Sequence, residues 1–104
     1  MRKAKLYKVT LPDGSACHGG SGKWYLPKGK KPGKWMPAVK NPACCRRGYH
    51  LVTAEQLLGW LDKEGLCVWE AEARGAVDAE EDKSAHEQAR LIRKVGDWLR
   101  RGTR

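Results

Sequence analysis

Apolar and polar positions alternate early in the chain. In Lys5-Leu6-Tyr7-Lys8-Val9-Thr10-Leu11, the residues Tyr7, Val9 and Leu11 fall on one side and Leu6, Lys8 and Thr10 on the other. That period of two predicts a strand. Pro12-Asp13-Gly14 predicts a turn, because proline presets φ and glycine accepts a positive φ. Ser15-Ala16-Cys17-His18-Gly19 is expected to return as a second strand, giving a β-hairpin over residues 5–18.

Periodicity then disappears. Residues 19–47 hold Gly19, Gly20, Gly22, Gly29 and Gly33, Pro27, Pro32, Pro37 and Pro42, and interleaved lysines. The expectation is a long Gly/Pro/Lys-rich loop of the kind that is usually functional or mobile. The alternative is two short strands, around Trp24-Tyr25-Leu26 and Lys34-Trp35-Met36, joined by a turn from Pro27 to Gly33.

Order returns over residues 48–101. Gly48 to Val52 reads as a short buried strand. Thr53-Ala54-Glu55-Gln56 has the form of a capping box, opening a helix to about Lys63 with Leu57, Leu58 and Leu61 on one face and Trp60 beside them. Leu66 to Ala73 reads as a strand whose core side carries Cys67, Trp69, Ala71 and Ala73; Glu70 and Glu72 then share the other side with Leu66 and Val68, which is awkward. Gly75 is expected to turn the chain, with Ala76-Val77-Asp78 as a further short strand and an acidic surface segment to Asp82. Ser84-Ala85-His86-Glu87 reads as a second capping box. Behind it Ala85, Ala89, Ile92, Val95 and Leu99 recur at helical spacing, with Gly102 as the end; Gly96 is either a weak point in that helix or a break that leaves residues 83–95 partly extended and 97–101 as a separate helical turn. The fold class expected is therefore α+β: a single domain, 1–104, built on a small, mostly antiparallel sheet with two helices and one long loop.

Composition changes this picture in two ways. With five tryptophans and no phenylalanine among 104 residues, the indoles must supply much of the large apolar area. The formal charge of +9 is also unevenly distributed. Residues 1–50 carry 12 Lys/Arg against one acid (net +11), and residues 51–104 carry 9 against 11 acids (net −2). Such asymmetry predicts a face for a polyanionic partner, either nucleic acid or an acidic protein surface. Lys23, Trp24, Lys28, Lys30, Lys31, Lys34, Trp35, Arg46 and Arg47 are the expected contact set, since cations meet phosphates and flat rings stack on unpaired bases. A solvated lysine rim over inward-facing Trp24 and Trp35 is the bland alternative. Arg93, Arg100 and Arg104 are expected near one side of the late helix, extending the patch or pairing with Glu87 and Asp97.

No apolar run follows Met1-Arg2-Lys3-Ala4-Lys5 and none elsewhere is long enough to span a membrane, so a cytoplasmic location without membrane contact is expected. In that compartment Cys17, Cys44, Cys45 and Cys67 are free thiols or ligands sooner than disulfides. Cys17, His18, Cys44, Cys45 and His50 form the one metal-type constellation and would suit a structural zinc. The lack of a C-x2-C spacing and the adjacency of Cys44 and Cys45 weigh against it, leaving buried thiols and a hydrogen-bonded histidine as the plainer reading. Cys45 beside Arg46 and Arg47 has the neighbours of a nucleophilic thiol but no evident orienting acid. The acids from Glu70 to Asp82 read as a solvated rim sooner than a divalent-metal nuclease site.

Three pieces carry a resemblance. Cys17-His18-Gly19-Gly20, the block Cys44/Cys45 to Gly48-Tyr49-His50-Leu51, and Val68-Trp69-Glu70-Ala71-Glu72 leading through Gly75 to Asp82-Lys83 and Ala89-Arg90-Leu91 resemble a family of small phage and prophage proteins. That family has a Cys–Gly–aromatic–His core motif, and the likeness covers roughly residues 5–99. It implies a mobile-element protein acting in a bacterial cell, and it brings no activity with it. His18-Gly19, Gly48-Tyr49 and a later glutamate also resemble the pattern of ADP-ribosyltransferase-type folds, which implies His18, Tyr49 and Glu72 as an alternative catalytic set. The leading expectation remains a non-enzymatic binding module working through residues 19–47.

Overall fold

The computed structural model describes residues 5–15, 22–44, 46–61 and 65–98, the side chains of Leu58, Asp97 and Trp98 excepted. Its elements are strand β1 (Leu6–Thr10), strand β2 (Tyr49–Leu51), one short helix α1 (Ala54–Leu57) continued by a 3₁₀ turn (Leu58–Trp60), and two long strands, β3 (Leu66–Ala79) and β4 (Ser84–Trp98). All pairings are antiparallel and the sheet order is β1-β3-β4-β2. The two edge strands also meet. Tyr7 and Val52 exchange backbone hydrogen bonds of 2.7 and 3.0 Å, so the sheet curls until β1 touches the residue after β2.

This overturns the α+β expectation with two helices. The segment expected to form the late helix is β4, and it pairs with β3 along most of its length. Two β-bulges fall among the apolar residues that stand at helical spacing. Ala71 pairs with Leu91 and Glu70 with Arg93, leaving Ile92 extra; Trp69 pairs with Lys94 and Val68 with Gly96, leaving Val95 extra. Ile92 and Val95, which stand at helical spacing from Ala89, are thus bulge residues and share no buried face with it: Ala89 is fully buried, Ile92 half-buried and Val95 48% exposed. The supposed second cap is taken apart accordingly. Ser84 Oγ lies 2.7 Å from His86 Nε2. Glu87 accepts a 2.9 Å bond from the backbone NH of Ala76 on the neighbouring strand.

Gly75 is likewise not a turn. It sits inside β3 at φ 86°, where the register slips between Arg74 and Val77. A Cβ there would come within 2.6 Å of Glu87 Oε1. Glycine thus supplies both the backbone conformation and the room for the carboxylate that satisfies this bulge. The turn of the long hairpin lies later, closed by a 2.8 Å bond from Glu80 NH to Lys83 O.

The first capping box forms as the sequence predicts: Thr53 NH meets Gln56 Oε1 at 2.9 Å, and Gln56 NH meets Thr53 Oγ1 at 3.4 Å. The helix it opens is shorter than expected, passing into the 3₁₀ turn at Leu58. Leu57, Trp60 and Leu61 from this unit cover Val9, Leu66 and Val68. The opposite face of β3 packs Cys67, Trp69 and Ala71 with Leu51, Ala89, Leu91, Trp24 and Met36. The face assignment for β3 was therefore legible, and Leu66 and Val68 have a small core of their own. The buried indole of Trp69 donates to Thr10 Oγ1 at 2.9 Å, meeting the need any buried indole NH has.

Candidate nucleic-acid interface

The basic segment is built into the sheet. β2 covers the outer edge of β4 only along Ser84–His86. Beyond it the chain from Gly33 to Val39 takes over, donating from Gly33 to Leu91 O (2.7 Å), from Met36 to Ala89 O (2.9 Å) and from Val39 to Glu87 O (2.7 Å). Donors three residues apart match the three-residue turn of a polyproline-type chain, and Pro32 and Pro37 fall outside the donor positions. Gln88 Nε2 adds a bond to Met36 O at 2.9 Å, and Tyr49 Oη one to Pro37 O at 2.5 Å. An otherwise open edge is thereby covered.

Ahead of this strap, two arms flank a tight turn. Trp24 enters the core, its NH bonded to Gly14 O at 3.0 Å and its ring edge-on to Tyr49 with centroids 5.3 Å apart. Residues Lys28-Gly29-Lys30-Lys31 make the turn, closed by a 3.0 Å bond from Lys31 NH to Lys28 O, with Gly29 at φ 58°. The returning arm packs so tightly that a Cβ on buried Gly33 would collide with the Tyr25 carbonyl. The sequence alternative of two arms around a turn is thus closer to the structure than the free loop.

Lys28, Lys30, Lys31 and Lys34 are all exposed on this hairpin. Among the described residues no ion pair involves any of them. Lys34 Nζ lies 5.9 Å from the centroid of the Tyr25 ring. Tyr25 is 48% exposed, while its neighbour Trp24 is 7% exposed. Tyr25 stands in the same run of interleaved cations and aromatics but not in the expected contact set; the signal that separates it from Trp24 is the alternation of an extended arm, which sends adjacent side chains to opposite sides.

The other expected contact residues are distributed differently. Trp24 belongs to the core. Trp35 lies on the polar side of the β3–β4 hairpin, with the guanidinium of Arg74 at 3.9 Å and that of Arg90 at 4.7 Å from its ring. Lys23 pairs with Asp13 at 4.0 Å. Lys8 bonds His50 O at 3.1 Å and sits 5.5 Å from the Trp24 ring. Arg46 and Arg47 are exposed on a second turn, Ala43–Arg47, which is held by Cys44 NH to Asp78 Oδ2 (2.8 Å) and Cys44 Sγ to Asp78 O (3.0 Å). Asp78 pairs with Ala85 in β4 and Gly33 bonds Leu91, so the two basic turns are anchored about 20 Å apart along one strand. Exposed Lys40 lies between them in the chain.

Arg93 is a strand residue, paired with Glu70 at 2.9 Å; Arg90 pairs with Glu72 at 2.7 Å. These cross-strand partners explain the two glutamates on a face shared with Val68. Arg100 and Arg104 lie outside the described residues.

Of the alternative catalytic set, His18 lies outside the described residues. Tyr49 faces the core cluster, where burial raises its phenol pKa, and Glu72 is engaged by Arg90 on the polar side. Of the metal-type residues, Cys17, His18 and Cys45 lie outside the description. Among the described residues no group of three or more Cys, His, Asp or Glu is placed to hold a metal. Burial, followed by the charges of Glu80 and Asp78, pushes the Cys44 thiol up. Burial, followed by the charge of Lys8, pushes His50 down. No helix among the described residues is long and apolar enough to cross a membrane. Comparisons with protein-family models, curated proteins and solved structures find no match to this chain.

Proposed function

We propose that this chain is a small basic binding module that docks nucleic acid on the Lys28–Lys34 hairpin, with Lys40, Arg46 and Arg47 extending the contact along the covered edge of β4. The observation that carries the reading is the set of four exposed lysines without a carboxylate partner among the described residues, on a turn held in place by the core. Ammonium groups so placed replace condensed counterions on a phosphate chain, and releasing those ions drives binding. A hairpin anchored by Trp24 and the Gly33–Leu91 bond loses little freedom on docking. The resemblance to phage and prophage proteins supports reading such a module as part of a mobile element.

The test is a salt titration with labelled oligonucleotides of mixed sequence. Binding should weaken linearly in log K against log salt, and replacing Lys28, Lys30, Lys31 and Lys34 together by alanine should flatten the slope by about 3. Absence of binding at low salt, or an unchanged slope in the fourfold variant, would refute the proposal.

A further inference from the structure

From the placement of one aromatic ring we infer that the nucleic acid recognised is single-stranded, with Tyr25 as the platform on which an unpaired base stacks. The inference rests on the docking proposal above and narrows it to a ligand class.

Tyr25 is among the most exposed large side chains of the described residues, and it stands on the lysine hairpin itself. Its backbone has little freedom: Trp24 before it is buried in the core, and Gly33 across from it packs against its carbonyl. The ring is therefore presented from a fixed base. Lys34 sits 5.9 Å from its centroid, with Lys28, Lys30 and Lys31 on the adjoining turn. A flat ring flanked by ammonium groups that meet no carboxylate among the described residues matches a repeating unit of base and phosphate. The base takes the ring face and the phosphates take the cations, an arrangement that tolerates any sequence. A duplex keeps its bases stacked on one another and offers this ring only a backbone. Leu26, 36% exposed beside Tyr25, extends the apolar strip on which a sugar or base edge can rest.

The other two tryptophans named for stacking do not compete for this role. Trp24 is enclosed, and Trp35 already has the guanidinium groups of Arg74 and Arg90 against its ring.

The experiment compares the full chain with Tyr25→Ala and Tyr25→Phe for binding to labelled dT20, U20 and a 20-base-pair duplex, each at two salt concentrations, with thermal melting as the folding control. The expected result is tighter binding to single strands and a loss on the order of tenfold or more for them in Tyr25→Ala. Tyr25→Phe should retain the affinity, and the duplex affinity and the salt slope should stay unchanged in both variants. A difference between dT20 and U20 would assign the sugar. Equal affinity for duplex and single strands, or a Tyr25→Ala variant that binds single strands as the parent does, overturns the inference and leaves lysine docking standing. A parent chain that binds none of the three at low salt overturns both.

Discussion

The β3–β4 hairpin and the Lys28–Lys34 hairpin both display cations, and they handle them in opposite ways. On β3–β4, Arg90 and Arg93 lie across from Glu72 and Glu70, and Arg74 bonds Gln88 Oε1 at 2.8 Å. Arg90 and Arg93 are answered by carboxylates and Arg74 by an amide oxygen, each from the facing strand, and the aromatic ring beside them, Trp35, is occupied by guanidinium groups. On the lysine hairpin the charges meet no carboxylate among the described residues, and the ring beside them, Tyr25, is 48% exposed with the Lys34 ammonium 5.9 Å from its centroid. A charge answered within the fold serves the fold. A charge left unanswered on a rigid turn is free for a partner.

The largest test of that contrast separates the two tryptophans. Trp24→Ala should cost about 3–5 kcal/mol of stability, as removal of a buried aromatic side chain does, and should loosen the lysine hairpin enough to abolish oligonucleotide binding. Trp35→Ala should cost about 1 kcal/mol, the worth of exposed cation–π contacts, and leave binding intact. Denaturant melts and binding on the same preparations check both. Equal costs for the two would erase the distinction between anchor and ornament.

The next effect concerns Gly33. Adding a methyl group there forces the arm carrying Tyr25 away from the returning arm at Gly33, and Gly33→Ala should lose about 1–3 kcal/mol, the usual range for overpacking. Gly29→Ala, at the exposed tip where a Cβ meets nothing within 4 Å, meets only the backbone cost of a positive φ and should lose less. Reversal of this order, read from melting midpoints, would mean that the arms are not packed as described.

These anchors also show what the chain disclosed in advance. The strand at Leu6–Thr10, the Thr53–Gln56 box and the core side of β3 were legible because each is local: alternation or a four-residue motif suffices. β4 was not, because its pattern records two bulges whose existence depends on pairing with a distant strand. The cation cluster was visible as composition, but its division was hidden. Whether Lys23 finds Asp13, or Arg93 finds Glu70, depends on register. Trp24, Tyr25 and Trp35 are alike in the sequence as aromatics among lysines, and only packing decides which ring is left outside.

Acid should act on the fold sooner than on the docking surface. Burial lowers the pKa of His86, with the neighbouring His50 charge as a further cause, and burial lowers that of His50, with Lys8 adding to it. Below the ordinary value of 6.5 the unfolded chain binds protons that the folded chain refuses. Stability contributed by these two groups is therefore complete above about pH 6.5 and falls as the pH is lowered through their folded values. Melting temperature should decline over that window, and His86→Gln should flatten the decline. Oligonucleotide affinity of the protein that remains folded should hold steady across the same window. A melting temperature that rises on acidification would contradict the burial of both imidazoles.

The smallest stability effect carries the sharpest comparison. Glu70→Gln with Glu72→Gln removes the answering charges from the β3–β4 face and leaves Arg90 and Arg93 in place. Exposed or half-exposed pairs contribute little, so the double variant should lose only about 0.4–2 kcal/mol across both pairs. If internal neutralisation is what keeps this face from docking polyanions, releasing two guanidinium groups should add a second, weaker contact surface. Affinity for oligonucleotides at low salt should rise, and the salt slope should steepen by up to about 2. Combining the double variant with the fourfold lysine variant should restore part of the binding that the lysines supplied. Should the released arginines add nothing, position along the sheet edge, and not the absence of a partner charge, would be what sets the lysine hairpin apart.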